Sequence, residues 1–73
     1  MNEKNFNENI YKNIQKVLEN KEISQKTLSF YIGTSEQNLS KKLKKLKNGD
    51  GITTTSLFQI CKALKINAVE LLK

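Results

Sequence analysis

Apolar residues recur along this chain at intervals of three and four. Ile10, Ile14, Val17 and Leu18 form the first such set, with Phe6 one turn earlier. That spacing puts them on one side of an α-helix, predicted over about residues 6–20. Two N-caps stand open: Asn5, with Glu8 three residues on, and Asn7. Residues 1–5 are expected to form a flexible tail. Ile23, in the link that follows, is expected to tuck under the helices. Ser24 is a good N-cap for a second helix, about 25–32, in which Leu28 and Ile32 face inward. Ser29 is small enough to let another helix approach. Phe30 and Tyr31 fall off this stripe; they cover the first or fourth helix, or else form a partner surface. Gly33 follows directly, where a left-handed residue ends a helix. Ser35 then caps a third helix, 36–47, with Leu39, Leu43 and Leu46 at i, i+4 and i+7.

Asn48-Gly49-Asp50-Gly51 is a loop, and Ile52 is expected to fold back onto the core. Thr53–Ser56 offers several caps for a fourth helix. Its apolar side is Leu57, Ile60, Cys61 and Leu64, with Phe58 alongside. Lys65-Ile66-Asn67 is a short link with Asn67 as cap. A last helix, Ala68–Lys73, is expected to close the core with Leu71 and Leu72. The reading is five helices, each too short to stand alone and held by mutual packing.

Composition narrows the function. In 73 residues there is room for one small domain with a thin stability margin and no sizeable catalytic cleft. The formal charge is +6, from 13 lysines and 7 acids. Five of those lysines, Lys41, Lys42, Lys44, Lys45 and Lys47, fall within seven residues; the remaining 8 Lys and 7 acids leave +1 for the rest. One concentrated patch points to a docking face for a polyanion. In a generic surface helix Glu would alternate with Lys, but here only Glu36 is present. Cys61 is the single cysteine, which excludes an internal disulfide, fits a reducing compartment and reads as a small core residue. No apolar run is long enough for a membrane span, and the N-terminus lacks a signal peptide's apolar core. A cytoplasmic protein is expected. There is no His, no paired carboxylate and no ligand cluster, so neither an enzyme nor a metal, cofactor or small-molecule site is expected.

The segment Ser24–Leu39, SQKTLSFYIGTSEQNL, resembles the helix-turn-helix of the phage repressor and Cro family, the XRE-type or Cro/C1-type domain. Ile60–Leu72, ICKALKINAVELL, is similar to that family's closing helices, and the likeness spans about 6–72. It implies an all-α, compact five-helix, lambda-repressor-like DNA-binding domain whose third helix lies in the major groove. Leu28, Ile32 and Leu39 match its core positions, Ser29 its helix-contact position and Gly33 its turn glycine. Gln25 matches a phosphate-binding position, and Glu36, Gln37 and Lys41 match base-reading ones. The chain departs from the family at Lys42, usually apolar, and in the lysine-rich extension through Lys47. It also departs at Lys65, commonly Gly, at Ala68, usually larger, and at Val69, usually acidic.

The chemistry agrees with that assignment. Gln37 suits adenine N6 and N7, and Lys41 suits guanine O6 and N7. Asn38 serves base or phosphate, and Glu36 accepts from a cytosine amino group or rejects wrong registers. Gln25, Lys26 and Ser35 suit phosphates, as do Lys42, Lys44 and Lys45. The expected function is sequence-specific double-stranded DNA binding by a small transcriptional regulator, a repressor of phage or mobile-element type. Any dimer has to come from the domain itself, through the 48–53 loop, the end of the fourth helix or the last helix, and such a dimer can be weak in solution and form mainly on DNA. Two other readings stand: a protein-binding module of antitoxin-like or anti-repressor kind, and a nonspecific nucleic-acid binder driven by the lysines.

Overall fold

The computed structural model describes residues 2–72. Five helices follow in order: α1 (Glu3–Lys21), α2 (Gln25–Ile32), α3 (Glu36–Lys47), α4 (Thr54–Leu64) and α5 (Ala68–Leu71). Met1 of the expected tail and Lys73 of the expected last helix lie outside the described residues.

α1 starts at Glu3, earlier than the periodicity predicts. Its cap is neither Asn5 nor Asn7 but Asn2, whose Oδ1 accepts from the Asn5 amide at 2.9 Å. The helix turns Asn7, not Phe6, inward in line with Ile10, Ile14 and Leu18. Asn7 is buried, whereas Phe6 is 41% exposed. The Asn7 Nδ2 donates to the Gly49 carbonyl at 3.0 Å. A buried amide with a partner costs little, and this one ties α1 to the loop that follows α3.

The other N-caps are Ser24, Ser35 and Thr53, each accepting an amide three residues on, from Thr27, Asn38 and Ser56. Asn67 flanks α5 without a side-chain cap bond. The C-terminal ends share one device. Glu22, Gly33, Gly49 and Lys65 all take positive φ, and the next amide reaches back five residues. Ile23 thus bonds Leu18, Thr34 bonds Ser29, Asp50 bonds Lys45 and Ile66 bonds Cys61. This left-handed closure satisfies carbonyls the helix leaves open.

Lys65 therefore keeps, with φ 57°, the conformation for which glycine is the usual choice. Lys65→Gly is expected to stabilise the fold by about 0.5–1 kcal/mol net of the entropy that glycine adds to the unfolded chain. A thermal melt should rise by about 2–8 °C. A fall would mean that the lysine side chain contributes more than the backbone strain costs.

The core is Ile10, Ile14 and Leu18 of α1, Leu28 of α2, Leu39, Leu43 and Leu46 of α3, Ile60, Cys61 and Leu64 of α4, and Leu71 of α5. Ile23, Ile32, Ile52 and Leu57 pack against it half-buried. α1 and α2 both back α3, while α4 packs on α2, and α5 on α1 and α4. The Asn13 Nδ2 donates to the Leu71 carbonyl at 2.8 Å, holding α5 against α1. No buried side-chain nitrogen or oxygen among the described residues lacks a partner.

Three apolar residues assigned to the interior lie outside it: Phe6, Phe58 (58% exposed) and Leu72 (42% exposed). Phe6 and Leu72 each neighbour a buried residue in sequence and Phe58 the half-buried Leu57, and one residue turns a helix by about 100°. Leu71 already closes the core, and Leu72, just past the helix end, is rotated outward. Phe30 and Tyr31 are exposed too, at 80% and 56%, so neither is enclosed by α1 or α4. Val69 is exposed as well, giving α5 an apolar edge.

Candidate nucleic-acid interface

The candidate interface centres on α3, whose two sides have opposite chemistry. Leu39, Leu43 and Leu46 are buried and fix the rotation of the helix about its axis. On the opposite side Gln37, Lys41 and Lys44 repeat at i, i+4 and i+7, all exposed. Asn38 and Lys45 stand on one shoulder of this stripe, and Glu36 and Lys47 on the other, also exposed. The four residues expected to read bases, Glu36, Gln37, Asn38 and Lys41, thus share the exposed first half of one helix. The helix runs unbroken through Lys47, so the lysine run continues the same rigid rod.

The position of α3 is set by the turn before it. Gly33 ends α2 at φ 85°, and a Cβ there would meet nothing within 4 Å. Glycine is thus favoured here by backbone conformation, not by crowding. Ser35 starts the next helix, its Oγ accepting from the Asn38 amide at 3.1 Å. Ser29 is 4% exposed and its Oγ donates to the Lys26 carbonyl at 2.6 Å, so a small side chain sits satisfied beneath the turn.

The expected phosphate-binding residues separate into groups. Gln25, half-buried, and Lys26, exposed, open α2 just after the Ser24 cap. Ser35 is exposed, and its oxygen already serves as a cap. Lys44 and Lys45 are exposed on α3. Lys42 differs: it lies next to the buried stripe, is half-buried, and shares with Lys45 a recess formed by Gly51, Ile52, Thr53 and Ser56. Thr53 is the N-cap of α4, so two lysine side chains and the positive end of a helix dipole border this recess. Half-burial of a lysine is tolerable because a long stem can pack against the protein with its charge in water.

Sequence reasoning missed Asn7 and Asn13, which brace the frame around α3. The signal for Asn7 was present: it lies at i−3 from Ile10, a polar residue in register with an apolar stripe. Cys61 is 4% exposed; burial first, and then the nearby Glu70 carboxylate, pushes its thiol pKa up. A protonated, buried thiol is a packing element. Among the described residues no group of His, Cys, Asp or Glu is placed to hold a metal, and no helix is long and apolar enough to cross a membrane.

Two helices joined by a glycine turn, the second amphipathic and basic outward, define a helix-turn-helix DNA-binding domain. The family model of the Cro/C1-type HTH DNA-binding domain matches residues 13–73. The chain belongs to that family, as its sequence motifs suggested, and it is a DNA-binding protein of the transcription-regulator kind. Neither a curated protein nor a solved structure matches it.

Proposed function

We propose that this chain is a repressor that recognises a specific double-stranded DNA site by laying the exposed face of α3 in the major groove. The observation that carries the reading is the Gln37–Lys41–Lys44 stripe, which stands opposite the buried leucines on a helix fixed by a tight turn. A helix held at a set rotation can present the same side chains to the same base edges each time. Gln37 pairs with adenine and Lys41 with guanine. Asn38 and Glu36 flank them at the rim of the contact. Gln25, Lys26 and Ser35 hold the backbone on one side, and Lys42, Lys44 and Lys45 hold it on the other. A small domain of this kind buries limited area on DNA. Two copies on a near-palindromic site, meeting through the 48–53 loop or the exposed Val69 and Leu72 edge of α5, would supply the rest.

Lys44 separates backbone from base contacts. Lys44→Ala is expected to weaken binding to all sequences by the same factor. The slope of log affinity against log salt should become shallower by about 0.9. A fluorescence-anisotropy salt series on several unrelated duplexes measures both. Unequal losses among the duplexes would make Lys44 a base reader instead.

A further inference from the structure

Apart from the DNA-binding side, one surface has a chemistry that packing does not explain. Tyr31, on the outside of α2, stands 56% exposed between two recesses. One, of ≈ 500 Å³, is lined by Ile23, Ala63 and Leu64 and rimmed by Lys21 and Lys65. The other, of ≈ 410 Å³, lies between Ile32 and Ala63, with Gln59 and Lys62 at its edge. Phe30 stands next to Tyr31, 80% exposed, with ring centroids 6.4 Å apart and planes inclined at 60°. Exposing both rings to water forgoes the stabilisation that their burial would bring. The floor is thus aromatic and aliphatic, three lysines stand at the rim, and no carboxylate lines either recess.

We propose that this α2–α4 groove is a docking site for an acidic segment of a partner protein, one that carries Leu or Phe anchors between Asp and Glu residues. The anchors would enter the recesses on either side of Tyr31, and the carboxylates would meet Lys21, Lys62 and Lys65. Exposed aromatic rings beside an apolar pocket with a charged rim are the usual make-up of a protein interface. Charge complementarity selects the occupant. A second copy pairing through this face would set the three rim lysines against their equivalents, and like charges across an interface oppose association. Nor does any α3 residue line either recess, and none of the first six residues of α2 does. The groove therefore stays open while α3 occupies DNA, so the partner joins a DNA-bound regulator instead of competing for it.

The test uses the full chain and two displayed peptide pools. One combines Asp and Glu with Leu and Phe; the other is matched, with Lys in place of the acids. The acidic pool is expected to be enriched. The best synthetic peptide from it should shift the amide resonances of Ile23, Tyr31 and Ala63, and should bind the free and DNA-bound chain alike. Tyr31→Ala should weaken that peptide by about tenfold or more, and so should the charge reversal Lys62→Glu with Lys65→Glu, while Phe30→Ala weakens it less. Circular dichroism of each variant checks that the fold persists. Equal enrichment of both pools overturns the proposal, as does peptide binding indifferent to Tyr31 and to the lysines. So does self-association through this face, seen by sedimentation as a dimer lost in Tyr31→Ala, or capture of anionic vesicles without peptide enrichment. DNA affinity, measured separately, reports on the α3 reading independently of all these outcomes.

Discussion

Leu39→Ala is expected to remove about 2–5 kcal/mol of stability. Leu39 is 1% exposed, in the core cluster that holds α3 against its neighbours. Truncating it removes buried methyl groups and leaves a void that a rigid five-helix core fills only in part. A domain of this length holds only a few kcal/mol in reserve. The melting temperature should therefore fall by roughly 10–30 °C, and DNA binding should be lost along with the fold as temperature rises. At low temperature, where the fold persists, weaker binding would come from a loosened α3. A fall below about 5 °C would show that α3 is not anchored through Leu39.

The second large effect is on DNA affinity. Gln37→Ala and Lys41→Ala each remove one exposed side chain from α3 and leave its buried leucines untouched. Each is expected to cost about 1–3 kcal/mol on the preferred site, roughly 5- to 150-fold in affinity. On a duplex altered at the base pair which that residue reads, the cost should shrink to little. Stability should hardly change, since surface substitutions away from caps and cores are usually within about 0.5 kcal/mol. Titration of both variants against a preferred site and its single-base derivatives gives the discrimination directly. The contrast with Lys44→Ala, uniform across sequences, separates reading from holding.

Much of this arrangement was legible in the sequence because short-range chemistry sets it. Ser24, Gly33 and Ser35 punctuate the turn through local hydrogen bonds and a backbone conformation suited to glycine. The spacing of Leu39, Leu43 and Leu46 alone fixes which side of α3 faces out, and its bounds were read correctly. The start of α1 was less legible, because Asn2, Asn5 and Asn7 are all competent caps within six residues. Whether Phe6 or Asn7 joins the stripe is a matter of helix rotation, and Asn7 faces inward with a bond to Gly49, 42 residues away. Phe58 and Leu72 were placed inside because large apolar side chains are usually buried, yet the core is already closed by Leu64 and Leu71. Lys65 shows the reverse case. No glycine stands at this corner, yet the closing bond from Ile66 to Cys61 holds a lysine in the left-handed conformation.

For the site itself, the sequence told which residues sit on the exposed face but not how Lys42 differs from its neighbours. Lys42 turns toward Gly51 and Thr53, a contact between segments that periodicity along one helix does not reveal. The lysine run thus divides into Lys41 and Lys44 on the outermost stripe of α3, Lys45 and Lys47 on its shoulders, and Lys42 beside the α4 N-terminus.

The central claim is that the outer face of α3 reads sequence. It is tested most directly by selecting bound duplexes from a random DNA pool with the wild-type chain and with Gln37→Ala, followed by sequencing of the enriched molecules. The wild-type chain should enrich one site of near two-fold symmetry. The variant should relax preference at a single A·T position in each half-site and leave the other positions intact. Enrichment of no common site, or the same preferences at reduced affinity in the variant, would contradict the account.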